Sequence, residues 1–169
     1  MPELSAPTRL DPEKVALIAR IANLPGELRA LTANLTAHQL TTPWLAGEWT
    51  VAQNVHHVAD SHLNSYIRCK LILTEDHPTL KSYDQDIWAA LPDSQSADLA
   101  PSLHLLTGLH ARWVHFWQTL PADGWARTAY HPENGTVRLV DQLAYYADHG
   151  AGHLDQITRT LAAGGIAPT

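Results

Sequence analysis

The chain is poor in cysteine, in clustered basic charge and in long apolar runs. One cysteine, Cys69, in 169 residues excludes an internal disulfide and a cysteine-rich zinc site. Eleven Lys and Arg residues against 17 Asp and Glu give a formal net charge of -6, and the basic residues form no cluster. This charge pattern disfavours a nucleic acid or an anionic membrane as a partner, so we expect neither.

Apolar runs are also too short for a membrane protein. None approaches the roughly 20 residues that a membrane-spanning helix needs. The first 14 residues, MPELSAPTRLDPEK, contain no apolar segment typical of a secretion signal. We therefore expect a cytoplasmic protein. A chain of this length with 45% hydrophobic residues can bury one core without the help of a metal ion.

Helical periodicity dominates the rest of the sequence. The first helix is predicted to begin at Pro12, with Asp11 as its cap, and to kink or break at Pro25 and Gly26. The second should run from the capping box of Thr50 and Gln53 to Leu73 or Thr74. Two further long helices are predicted over residues 102–120 and 139–163. The sequence thus predicts an all-α fold, a four-helix bundle with long loops, in one domain over residues 11–169 behind a disordered arm of residues 1–10.

Two connections carry information of their own. Residues 75–102 form a long irregular segment with one short helix predicted around Asp86 to Leu91, and connections of this length are usually functional or cover something. The sequence Pro-Glu-Asn-Gly at residues 132–135 is typical of a turn between short extended segments.

Eleven histidines stand out, and two of them have the spacing of a chelating pair. His149 and His153 are four residues apart on the last helix, so their side chains lie on one face about one turn from each other. Two solvated histidines would show the same spacing, so a site requires a third ligand. Gly150 and Gly152 lie beside them and each cost the helix about 1 kcal/mol relative to alanine. Either they allow another helix or a substrate to approach closely, or they weaken the helix.

The second helix offers three candidates for that ligand, namely His56, His57 and His62. A helical wheel places His62 within the apolar arc, where a hydrogen-bonded core histidine is the common case, and His56 at its edge. His57 falls on the opposite side, in a stripe without Lys or Glu that we interpret as the lining of a polar cavity or a second interface. Its other members are Thr50, Asn54, Ser61, Asn64 and Arg68. Spacing alone does not choose among the three histidines.

Four segments together resemble successive motifs of the DinB/YfiT-like superfamily, in its branch of YfiT-like metal-dependent hydrolases. They are residues 47–94 (GEWTVAQNVHHVADSHLNSYIRCK and onward), LLTGLHARW, YHPENG and HGAGHLDQIT. The resemblance covers about residues 36–162. It implies a four-helix bundle, often dimeric, in which three histidines bind one divalent ion, zinc or nickel. Carried over by position, the ligands would be His57, His149 and His153.

Three hypotheses about function follow. The first is a metal-dependent hydrolase, because three protein ligands leave a coordination position for water, which then serves as the nucleophile. The second is a metal-dependent thiol transferase, in which a low-molecular-weight thiol occupies that position and attacks an electrophile. The third is a non-enzymatic, dimeric metal-binding protein. We expect a small-molecule substrate and a homodimer, while the sequence identifies neither the substrate nor the metal.

Further side chains are considered for the pocket lining, for a general base and for the core. Asn54, Ser61, Asn64, Arg68 and Tyr146 are candidates for the lining of the pocket. No general base is evident, since Asp155 points away from the stripe of His149 and His153, and Asp60 is assigned to ligand orientation or solvation. His110 shares a stripe with Leu106, Trp113 and Trp117 and is expected to pack in the core.

Overall fold

Four long helices form the body of the molecule in a computed structural model that describes residues 9–167. They are α1 (Pro12–Thr32), α3 (Val51–Thr74), α5 (Ala100–Gln118) and α6 (Leu139–Ala163). Both α1 and α3 pack against α5 and α6, which gives the four-helix bundle predicted from the sequence. The predicted N-terminal arm lies outside the described residues except for Arg9 and Leu10.

The predicted helix starts are confirmed by their caps. The Asp11 carboxylate accepts a hydrogen bond of 2.8 Å from the Lys14 amide at the start of α1. At the start of α3, the Thr50 hydroxyl accepts from the Gln53 amide while the Gln53 side chain accepts from the Thr50 amide. Such reciprocal bonds satisfy amides that the first helical turn leaves without partners.

Pro25 does not break α1, which is continuous from Pro12 to Thr32. Proline lacks an N–H, so the carbonyl of Ile21, four residues earlier, receives no hydrogen bond from within the helix. The His110 ring of α5 supplies one instead, with its Nδ1 atom 2.5 Å from the Ile21 oxygen. A neighbouring helix therefore satisfies the carbonyl that the proline leaves free, and the helix continues through it.

The connections contain short elements. These are α2 (Ala37–Thr41), α4 (Gln85–Ala89) and one turn of 3-10 helix (Gly124–Ala126), followed by strands β1 (Thr128–His131) and β2 (Gly135–Arg138). The strands pair antiparallel with His131 opposite Gly135, which has a φ of 69° in the left-handed region that favours glycine. Both the short helix near Asp86 and the turn at residues 132–135 were predicted. None of the helices within residues 9–167 is long and apolar enough to cross a membrane.

Candidate metal centre

Three histidines from two facing helices converge at one point. The Nε2 atom of His149 lies 3.4 Å from Nε2 of His57 and 3.3 Å from Nε2 of His153. One ligand atom from each residue fits within a group whose members all lie within 4.8 Å of one another. These are the three residues that the family resemblance selects as ligands. In the described part of the chain, no other group of histidine, cysteine or acidic residues is close enough to hold a metal ion.

The ring of His153 is oriented by α3. Its Nδ1 atom lies 2.8 Å from Oδ1 of Asn54, while the Asn54 amide nitrogen donates to the Thr50 carbonyl at 3.0 Å. Because the amide nitrogen is used by that carbonyl, Oδ1 faces His153 and accepts from its Nδ1–H. The lone pair of His153 Nε2 is therefore directed to the cluster.

The ring of His149 also has a partner behind it. Its Nδ1 atom lies 3.1 Å from Nε2 of His62, which is completely buried in α3. Trp49, in the loop before α3, packs on the remaining side of the cluster, with its ring 4.6 Å from that of His57 and stacked at 6.2 Å on that of His153. The three histidines are thus held between hydrogen-bond partners and an aromatic wall.

Burial keeps the cluster uncharged. It lowers the pKa of His57 and of His149 to about 3, with a further contribution from the charge of neighbouring histidines, and burial lowers the pKa of His153 to about 4. The same cause lowers the pKa of His62 well below its ordinary value. A neutral imidazole has one free lone pair, which is the form that binds a metal ion.

The donor set fits a divalent cation. His153 donates its Nδ1–H to Asn54, so its Nε2 lone pair faces Nε2 of His149. Two nitrogens bound to one tetrahedral zinc ion at about 2.0–2.1 Å lie about 3.3–3.4 Å apart. The separations of 3.3 and 3.4 Å agree with that geometry. A cation between the rings would replace the repulsion of the lone pairs by coordination.

A cavity of about 1340 Å³ opens beside the cluster. His149 and His153 form part of its wall, with further residues from the long connection, the hairpin and the loop before α3. Residues 82–86 of the long connection contribute, which agrees with the expectation that this segment covers something. Five acidic residues, Glu48, Asp84, Asp86, Glu133 and Asp141, are among the lining residues, together with one arginine, Arg68.

The five residues predicted to line the pocket differ in their positions relative to the cavity. Ser61, Arg68 and Tyr146 line the cavity. Asn54 lies behind His153, where its Oδ1 atom accepts a hydrogen bond from the ring. Asn64 is not among the lining residues, and its amide donates to the Asp60 carbonyl one turn earlier at 2.9 Å.

The acidic residues near the ligands in sequence do not provide a base at the cluster. Asp155 is exposed and pairs with Arg159 at 3.0 Å. Asp60 is half-buried, and its pKa is raised by burial and by the nearby charge of Asp93. Neither carboxylate joins the group of potential ligand atoms.

Several residues of the site were not predicted from the sequence. Trp49 and His131 line the cavity, as does Tyr83 of the long connection. His110 is buried among aromatic rings as predicted, but its hydrogen bonds to Ile21 and His62 were not expected. A helical wheel predicts which side chains are buried but not which groups they bond to. The hydrogen bonds of His110 could therefore be found only from the contacts between helices.

Comparisons with known proteins agree with this description. A family model described as DinB superfamily matches residues 20–157. A protein of Bacillus cereus (strain 03BB102) named "putative metal-dependent hydrolase" is 46% identical over 141 residues, which cover 83% of this chain and 81% of that protein. A protein of the same descriptive name from Bacillus thuringiensis subsp. konkukian matches with the same identity and coverage.

A solved structure is similar to this chain over almost its whole length. YfiT from Bacillus subtilis, described as "a probable metal-dependent hydrolase with an unusual four-helix bundle topology", superimposes with a TM-score of 0.88 at 38% sequence identity. The match covers 98% of this chain and 95% of that one. The resemblance predicted from the sequence is confirmed, and the chain belongs to the DinB superfamily.

Proposed function

We propose that this protein is a metal-dependent hydrolase in which His57, His149 and His153 bind one divalent metal ion at the wall of the cavity. The observation that carries the proposal is the convergence of three neutral imidazole rings, in which His149 Nε2 lies at tetrahedral ligand spacing from the Nε2 atoms of both other rings. The names of the relatives in Bacillus and the description of YfiT support it. Imidazole ligands suit zinc, nickel, copper and iron, and the tetrahedral spacing favours zinc among them.

When bound, such an ion supplies a Lewis acid and a water molecule with a pKa lowered to about 7. The protein's own residues prepare the site for this chemistry. Asn54 keeps the proton of His153 on Nδ1, so that no proton has to leave before a metal binds. Trp49 covers two of the rings and limits the access of bulk water from that side. The third side of the cluster faces the cavity, where a substrate can reach it.

The charges of the cavity disfavour an anionic substrate. Five acidic side chains line it against one Arg68 guanidinium. Two of the five have cationic partners, since Glu48 pairs with Arg159 at 3.1 Å and Asp141 pairs with Arg138 at 2.7 Å. The remaining carboxylates leave the lining with a negative balance. We therefore propose a neutral or cationic ester or amide as the substrate class.

The size of the cavity favours thiol transfer as a second candidate. Its volume of about 1340 Å³ exceeds the roughly 300–1,000 Å³ of an ordinary ligand pocket. Such a space can hold a small thiol together with a second, electrophilic substrate. The same three histidines would serve this reaction, so the requirement for added thiol distinguishes the two candidates.

The first experiment measures bound metal by elemental analysis in protein purified without an affinity tag or chelator. We expect close to one divalent ion per chain in the wild type and almost none in His57→Ala and His149→Ala. The control is His104→Ala, which removes an exposed histidine of α5. A wild type that holds no metal after incubation with zinc or nickel would contradict both candidate functions.

The second experiment compares neutral, cationic and anionic nitrophenyl esters, each with and without a small thiol. Hydrolysis without thiol, fastest for the neutral or cationic ester and lost in His149→Ala, is the expected result. Turnover of an electrophile only when thiol is present would favour the transferase. Equal rates in the wild type and in His149→Ala would show that the observed turnover does not depend on the proposed site.

A further inference from the structure

Two buried histidines outside the ligand set connect the cluster to the opposite side of the bundle. His62 of α3 and His110 of α5 are 0% and 1% exposed, and their rings stack almost in parallel, with centroids 5.0 Å apart. His62 Nδ1 lies 3.0 Å from His110 Nε2. The proposed function assigns no role to His110, and both rings occupy positions where an aliphatic side chain could fill the core.

His149, His62, His110 and the Ile21 carbonyl form a chain of hydrogen bonds, and a proline in α1 sets its donor-to-acceptor direction. Pro25 leaves the Ile21 carbonyl of α1 without a helical donor, and His110 Nδ1 lies 2.5 Å from that oxygen. A carbonyl oxygen only accepts hydrogen bonds, so His110 must carry its proton on Nδ1. The Nε2 atom of His110 is then the acceptor in a neutral ring.

The same reasoning gives the position of the proton on the next two rings. His62 must donate from Nδ1 to His110 Nε2, which leaves His62 Nε2 as an acceptor. His149 then donates from Nδ1 to His62 Nε2, with the two atoms 3.1 Å apart. An extra proton on His62 would reverse this last bond, but it would place a charge in the fully buried core, where both ring nitrogens already face other imidazole rings.

We propose that His62 and His110 are positioning residues that hold His149 in the tautomer with its proton on Nδ1, so that the Nε2 lone pair is presented to the metal. The proposal rests on the metal site of the proposed function. The chain takes one member from each long helix: Ile21 from α1, His110 from α5, His62 from α3 and His149 from α6. The packing of the whole bundle therefore orients one ligand.

The two ligands on α6 are oriented in different ways. His153 is held by one amide oxygen, that of Asn54. His149 is held by a chain of two rings that ends at a backbone carbonyl. Hydrogen-bond partners behind metal-binding histidines commonly alter metal affinity by 10–100-fold. A purely packing role for His62 and His110 would require their shape and not their nitrogen atoms.

The first test reads the tautomers directly in metal-free protein labelled with 15N in its histidine rings. Two-bond 1H–15N correlation spectra distinguish a proton on Nδ1 from one on Nε2. We expect the proton on Nδ1 in His110, His62 and His149 of the wild type. In His62→Phe we expect His149 to populate the form with the proton on Nε2. A wild-type His149 protonated on Nε2 would overturn the inference, whether or not the protein binds metal.

The second test measures zinc affinity by competition with a chromophoric chelator. His62→Phe should bind zinc 10–100-fold more weakly than the wild type. His62→Gln keeps one acceptor and one donor and should recover part of the loss. The control is His56→Phe on the same helix, because His56 is also buried but bonds to Ser102 and Ser96, away from the cluster.

The two tests separate this inference from the proposed function. A wild type with the expected tautomers but without zinc affinity would contradict the metal site and leave the hydrogen-bond chain established. Zinc affinity in His62→Phe equal to that of the wild type would show that the chain does not act on the ligand, and would overturn the positioning role. A folded His62→Phe variant, checked by circular dichroism, is required for that comparison. If it does not fold, His110→Phe, which removes the acceptor of His62 Nδ1, replaces it.

Discussion

The Asn54 side chain uses both of its polar atoms at the start of α3. Its nitrogen donates to the Thr50 carbonyl in the first helical turn, and its oxygen accepts from His153. Because the residue is fully buried, neither bond competes with bulk water. The helix terminus thus fixes the amide, and the amide fixes a proposed ligand on another helix.

Replacement of Asn54 by alanine should weaken zinc binding by 10–100-fold, since His153 would lose the acceptor that fixes its tautomer. Asn54→Asp, which keeps an acceptor oxygen, should bind zinc more tightly than Asn54→Ala. The matched control is Asn64→Ala, because the Asn64 amide bonds only within its own helix in the described contacts. Chelator competition provides the measurement, and equal affinities for Asn54→Ala and Asn64→Ala would contradict the assignment.

Sequence patterns predicted part of the site at this scale. Of the polar stripe of α3, Ser61 and Arg68 line the cavity, and the i, i+4 pair of α6 places His149 and His153 together on the cavity wall. The choice of His57 over His56 and His62 needed the family resemblance. His110 could not be recognised, because its partners come from α1 and α3 and lie 89 and 48 residues away. Contacts over such separations leave no local pattern.

Helix boundaries were predicted well wherever a local signal sets them. The caps at Asp11 and Thr50 satisfy amides within four residues, so the sequence contains the complete cause. Pro25 is the exception, because its cost is offset by a histidine from another helix. A breaker residue marks a carbonyl without a partner, and only the tertiary structure decides whether the helix ends there.

The two glycines beside the α6 pair have different surroundings. A Cβ atom on Gly150 would lie 2.6 Å from Leu24 Cδ2, and Leu24 is 2% exposed in the core. A Cβ atom on Gly152 would meet nothing within 4 Å. Gly150 therefore allows α1 to approach α6 closely, which was one of the two alternatives drawn from the sequence.

These surroundings predict opposite effects of alanine on stability. Gly152→Ala should raise the free energy of unfolding by about 0.5–1 kcal/mol, because alanine is the better helix former. Gly150→Ala gains the same propensity but forces the buried Leu24 to move, and overpacking costs about 1–3 kcal/mol. We expect a net loss for Gly150→Ala. Urea unfolding of metal-free protein measures both, and a stabilised Gly150→Ala would show that Leu24 moves at little cost.

The whole molecule brings five neutral histidines, three buried and two half-buried, into one connected group. Three are the proposed ligands, His57, His149 and His153, and two are the rings of the chain behind them, His62 and His110. Burial lowers the pKa of each, to about 4 in the case of His110. Unfolding returns all five to water, where a histidine has a pKa of about 6.5. The stability of the metal-free protein is therefore linked to pH through this group.

The sign of that dependence follows from the proton balance. Between about pH 4 and pH 6.5 the unfolded chain binds more protons than the folded one, so the free energy of unfolding increases with pH. The contribution of the histidines is fully present about one pH unit and more above 6.5 and is lost as the pH falls through 6.5 toward the folded pKa values of about 3 to 4. One net proton corresponds to about 1.4 kcal/mol per pH unit, and several histidines together should exceed that slope.

Urea unfolding of the metal-free protein at several pH values from 5 to 8 tests this linkage. We expect a profile that levels off toward pH 8 and a slope steeper than about 1.4 kcal/mol per pH unit near pH 5.5. His110→Phe removes one buried titrating group and should reduce the slope, whatever its effect on the plateau. The control is His104→Gln, which removes an exposed histidine of α5 outside this group. A flat profile in the wild type would mean that the rings take up protons as readily in the folded state as in the unfolded chain, which would contradict the lowered pKa values of the cluster.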